Sequence, residues 1–133
     1  MREILFRGKR VDNDEWVEGM PCSDLKDGVD AIQANFSGYI FDIIPETLGQ
    51  YTGLKDKNGT KIFEGDIVAG AVYWLEKQKN GIVAFRDGSF GLIWHRGDVE
   101  QFNPFTSMCN IEYEVIGNIH DNEELLKGGE SDA

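Results

Sequence analysis

The sequence predicts a mainly β protein: an N-terminal β-region over residues 1–50, a small β-barrel with a terminal helical turn over 51–128, and a disordered tail over 129–133. Three features carry this. Sixteen glycines against three prolines suit many short strands joined by tight turns. A hydrophobic fraction of 41%, with eight Phe, four Tyr and three Trp, supplies a packed core and argues against wholesale disorder. Two hairpin signatures, Asp56-Lys57-Asn58-Gly59 and Asp87-Gly88, stand between apolar alternating runs.

The elements follow in order. Arg2 to Arg7 alternates and reads as a strand, with Ile4 and Phe6 on one side. Val11 to Glu15 is a polar turn, and Trp16 to Gly19 returns as the second strand of a hairpin. Lys26-Asp27-Gly28 marks another turn, and Ala31 to Phe36 reads as a strand. After Ser37-Gly38, Tyr39 to Ile44 is a strand of aromatic and β-branched residues. Pro45 to Gly49 suggests one helical turn, with Pro at its start and Gly at its close. That turn is the expected boundary between the two regions.

Tyr51 to Val68, YTGLKDKNGTKIFEGDIV, is the centre of the chain. In Asp56-Lys57-Asn58-Gly59 the Asp can bond forward to the backbone, and Asn and Gly tolerate positive φ. A type I turn with Gly59 in a left-handed bulge position is expected, with a type I′ loop at Asn58-Gly59 as the alternative. Glu64-Gly65-Asp66 turns the chain again into a strand from Asp66 to Leu75. A Gly-Asp pair entering an apolar strand occurs in SH3-like barrels. Gly81 to Arg86 and Ser89 to Trp94 flank Asp87-Gly88, so Phe85 should face Phe90 and Val83 should face Leu92. Val83, Phe85, Phe90, Leu92 and Trp94 then share one apolar face. Val99 to Phe102 is a short strand broken by Asn103-Pro104. Glu112 to Ile119 alternates, with Tyr113, Val115, Gly117 and Ile119 on one face, and should close the barrel. Asp121 and Glu124 have the spacing of a capping box for a short helix stopped at Gly128.

The formal net charge is −11. Residues 1–50 hold ten acids and five bases, and the rest holds fourteen and eight, so the acidity is spread along the chain. Such a surface opposes phosphate backbones and anionic membranes, because binding to either rests on Lys and Arg. Solubility is its ordinary meaning. Cys22 and Cys109 are expected to be reduced thiols, although a pair between them is open. No charged start with an apolar run follows Met1, and no apolar stretch is long enough to span a bilayer. The expected location is cytoplasmic.

No catalytic constellation, cofactor motif or metal spacing emerges. Cys22, Cys109, His95 and His120 include no CxxC or HxxxH pair. Cys109 with His95 or His120 and Asp98 can be assembled only on paper, with no nucleophile elbow to support it. Glu64 and Asp66 are better read as turn residues than as an acid–base pair. Aromatics are the remaining resource. Tyr73, Trp74, Phe102 and Phe105 fall near strand ends or loops, where they line an interaction surface or simply pack. Adjacent Tyr73 and Trp74 point to opposite faces of a strand, so one of them needs a cover. That need points to the N-terminal region or to a second subunit, and hence to a homo-oligomer.

Four segments together resemble the YopX family of small proteins encoded by phages and prophages: MREILFRGKR…EWVEG, PETLGQYTGLKDKNGTKIFEGDIV, the Gly81-Ile82-Val83 entry into a strand, and EVIGNIHDNEELL. The resemblance implies an all-β protein with an SH3-type barrel in its later part, in an intracellular phage or prophage setting. It implies no established activity and supplies no catalytic residues. The expected function is that of a non-enzymatic accessory protein acting on an unknown host or phage protein through protein–protein contacts. An acidic mimic of nucleic acid that inhibits a DNA-binding host protein is the first alternative. A nucleic-acid-binding barrel is the second, with Lys55, Lys57 and Lys61 as its only basic cluster.

Overall fold

Short β-branched and aromatic runs become strands, and the turn residues between them set the pairing. The structure, a computed structural model, describes residues 3–23, 29–35, 37–69, 80–96, 98–105 and 113–125. The chain divides into two compact units, residues 1–53 and 54–133. Among the described residues nearly all regular structure is antiparallel strand.

The first unit contains β1 (Phe6–Lys9), β2 (Trp16–Ser23), β3 (Val29–Ala34) and β4 (Ile40–Asp42), a 3-10 turn (Pro45–Thr47), and the start of β5 (Gly49–Lys55). Its sheet runs β4-β3-β2-β1-β5. The first strand begins later than Arg2, and Leu5 is buried in place of Ile4, which is exposed. Val17, Ile32, Ala34 and Ile43 form the core, with Phe41 and Leu48 against it. The end of β4 returns to the end of β1. Val11 N donates to Asp42 O at 3.0 Å, Ile44 N donates to Lys9 O at 2.9 Å, and Arg10 bridges Ile43. Buried Thr47 completes this tie: its hydroxyl accepts from Lys9 N at 2.9 Å and donates to Ile44 O at 2.6 Å.

β5 continues out of the first unit and pairs with β6 (Lys61–Phe63). Only Gly59 of the intervening turn has positive φ (+83°), and its N–H donates to Asp56 O at 3.0 Å. The turn is therefore type I with a left-handed Gly, and the type I′ alternative fails because Asn58 does not enter the left-handed region.

The second unit holds β6, β7 (Asp66–Ala69), β8 (Gly81–Arg86), β9 (Ser89–Arg96), β10 (Val99–Pro104) and β11 (Glu114–Asn118). Its five-stranded sheet runs β10-β9-β8-β7-β11. Asp87 and Gly88 both have positive φ, as a type I′ turn requires, and Phe85 faces Phe90 while Val83 faces Leu92. Ile62, Val68, Val83, Leu92, Trp94, Phe105 and Tyr113 form the core. Phe85 lies beyond it, half exposed against Phe90 in an edge-to-face pair with centroids 5.0 Å apart.

One expectation is met only in part, and two need correction. Among the described residues the five-stranded sheet is open, with β10 and β11 at its edges, so a closed barrel is not seen. Asn103 and Pro104 do not break β10: Pro is tolerated at the end of an edge strand. β11 does not alternate throughout, because a bulge between Val115 and Gly117 resets its register and sets Asn118 opposite Asp66. After β11 the chain turns through Asn122 N to Asn118 O and Leu125 N to Asn122 O, each near 3 Å. The last two described residues, Glu124 and Leu125, are helical, and the expected remainder of that short helix to Gly128, like the tail over 129–133, falls outside the described residues.

Candidate interaction surfaces

The central hairpin positions a carboxylate that ties its own turn to β11. Asp56 Oδ1 accepts from Asn58 N at 2.8 Å and Thr60 N at 2.9 Å, and Oδ2 accepts from Val115 N at 2.9 Å. Lys57 N adds a bond to Tyr113 O at 3.1 Å. These bonds meet β11 on its outer edge. Burial of Asp56 on its own raises its carboxyl pKa. The backbone N–H groups of Val115, Thr60 and Asn58, with the charge of Lys57, outweigh that and hold it below the ordinary value of 3.8. The role is structural: a carboxylate saturated by backbone donors has little capacity for a substrate. Asp66 likewise serves its turn, buried and accepting from Phe63 N at 2.8 Å.

Of the four aromatics marked in the sequence, Tyr73 and Trp74 lie outside the described residues. Phe105 is in the core, 6% exposed and tilted against Tyr113. Phe102 alone lies on an accessible face, half-buried on β10. A Cβ on Gly91 would lie 2.7 Å from the end of the Phe102 ring, so the ring lies across this glycine. Glu100 shares the face with Phe102. It accepts from Arg86 Nη1 at 2.6 Å and lies 3.9 Å from His95 Nε2. The Arg86 guanidinium is 5.9 Å from the Phe102 ring centroid. Three strands thus present an aromatic ring bordered by a carboxylate, a guanidinium and an imidazole.

A second set of exposed apolar side chains lies on the first unit, at residues the sequence did not single out. Met20 pairs with Gln33, and Gln33 pairs with Ile40, so the three form one row across β2, β3 and β4. Met20 is 47% exposed, Ile40 60%, and Tyr39 beside it 71%. Cys22, Ala31 and Asp42 form the next row. The signal was present in the sequence. Tyr39 to Ile44 is apolar on both faces, and a strand with a one-sided core leaves one of them in water. The core took Phe41 and Ile43.

Cys22 is on β2, His95 on β9 and His120 in the turn after β11, while Cys109 lies outside the described residues. No group of three or more His, Cys, Asp or Glu among the described residues is placed to hold a metal ion. No helix among them is long and apolar enough to cross a membrane.

These features define a small all-β protein of two antiparallel-sheet units whose accessible faces carry apolar and aromatic side chains. The model of the YopX protein family matches residues 5–127, and the chain belongs to that family. Among solved structures, the crystal structure of protein EF1440 from Enterococcus faecalis is similar: 29% identical, covering 95% of this chain and 99% of that one, with a TM-score of 0.62. A search of curated proteins found no match.

Proposed function

We propose that this protein is a non-enzymatic accessory protein of a phage or prophage that acts in the bacterial cytoplasm by binding a host or phage protein. The observation that carries the reading is the pair of exposed apolar side chains Met20 and Ile40, set on either side of Gln33 in one cross-strand row, with Tyr39 exposed next to Ile40 in sequence. Large apolar side chains fixed in water by a sheet are costly unless a partner covers them, and scattered single ones are not arranged in rows. In this reading the second unit is an SH3-like barrel followed by a short helix. Its strand order supports that, because the last strand pairs beside the first of the meander.

The test is a pull-down from host lysate with the tagged chain and with a Met20→Lys/Ile40→Lys variant, at low and high salt. A single host protein retained at high salt by the parent and lost by the variant is expected. Retention by both at high salt overturns the assignment of this surface. Retention of a nuclease, repressor or polymerase at low salt only would instead favour acidic mimicry, since exposed charge pairing is screened.

A further inference from the structure

Every sheet edge in the described residues has a visible guard except one. The β4 edge is only three residues long, and Asp42 O at its end accepts from Val11 N. The β11 edge is taken up by Asp56 and Lys57. β6 is only three residues long, and Phe63 N at its end is bonded to the Asp66 carboxylate. β10 is six residues long and pairs with β9 alone among the described residues. It contains no Lys and no bulge, and its one Pro stands at the last position. Edges of that kind are templates for another strand.

We propose that the β10 edge pairs antiparallel with β10 of a second copy, joining the two five-stranded sheets across a two-fold axis at Gln101. This rests on the reading that the protein acts through protein contacts, and adds a second surface to it. β10 is complementary to itself in one register. Residues opposite one another in an antiparallel pair point to the same face, so a two-fold axis must pass through a residue position. An axis at Glu100 sets two carboxylates face to face. An axis at Phe102 brings in Pro104, which has no N–H to give. An axis at Gln101 uses positions 99 to 103, with Glu100 opposite Phe102 and Val99 opposite Asn103 of the other copy. The Glu100 charge is already matched within its own chain by Arg86. One further observation agrees: Val99, at the end of the paired stretch, is 57% exposed.

Light scattering after size exclusion and sedimentation velocity read the outcome on the full chain. The expected species is a dimer of two 15.0 kDa chains. Val99→Lys should weaken it at least tenfold with the circular dichroism spectrum unchanged. Adding Asn103→Glu should restore it, because the two introduced charges meet only across the axis. In a Cys22→Ser/Cys109→Ser background, Gln101→Cys treated with diamide should give a disulfide-linked dimer, and Glu100→Cys should not. A monomer at every concentration overturns the proposal. So does a dimer that Val99→Lys leaves intact and Gln101→Cys does not cross-link. A monomer that still captures its partner through Met20 and Ile40 defeats this proposal alone. A β10 dimer that captures nothing defeats the other reading alone.

Discussion

In the first unit, main-chain groups tie the returning strand: Val11 to Asp42, Ile44 to Lys9, with the Thr47 hydroxyl between. In the second unit the comparable task falls to a carboxylate, Asp56, which holds Val115 from 59 residues away in sequence. Both ties satisfy backbone groups at a sheet edge. They differ in what can undo them. A main-chain tie with a hydroxyl is indifferent to pH, whereas a carboxylate tie holds only while ionised. The cores differ too. The first is built on Val17, Ile32, Ala34 and Ile43, and the second on larger side chains that include Trp94, Phe105 and Tyr113.

The largest expected effect separates packing from interaction in the second unit. Phe105→Ala should cost about 3–5 kcal/mol in denaturant unfolding, the usual loss for a buried aromatic. A cost within ~0.5 kcal/mol would return Phe105 to the surface.

Next comes the carboxylate tie. Asp56→Ala should cost about 3 kcal/mol at neutral pH, because charged hydrogen bonds are lost and Val115 N–H is stranded. The pH dependence has a definite sign. The folded-state pKa of Asp56 lies below its ordinary value of 3.8. Its contribution is therefore fully present above that value and is lost as the pH falls through the lower, folded value. Unfolding curves of the parent and Asp56→Asn should converge on acidification in that window. A constant gap would show that the charge is not what holds the edge.

Thr47→Val tests the hydroxyl tie of the first unit. The expected cost is about 1–2 kcal/mol, the same at pH 7 and at pH 3, since no titrating group is removed. The smallest effect belongs to the surface pair of Arg86 and Glu100. Glu100→Gln should change the stability of the fold by less than ~1 kcal/mol, and added salt should shrink the difference.

What the sequence made legible was local. The type I′ turn at Asp87-Gly88 and the type I turn ending at Gly59 are dictated by residues that accept left-handed backbone, and the first fixes the β8–β9 register. The Pro45 turn was legible for a different local reason: Pro at the first position presets a helical φ. The long-range features were not. Nothing near Asp56 shows that its second oxygen waits for Val115. The bulge in β11 breaks an alternation that looked regular from Tyr113 to Ile119. Phe105 and Phe102 are alike as residues near a strand end, and only the packing around Tyr113 sends one inward. The exposed row of Met20 and Ile40 depended on the pairing of three strands. The apolar doubling in Tyr39 to Ile44 hinted at it.

Hydrogen exchange of Asp56→Asn, followed amide by amide at neutral pH, tests the carboxylate tie most directly. If Asp56 is the tie of the second unit alone, protection falls at Asn58, Thr60 and Val115, while Val11 and Ile44 keep theirs. Unchanged protection at Val115, or equal loss at Val11 and Ile44, would contradict the account.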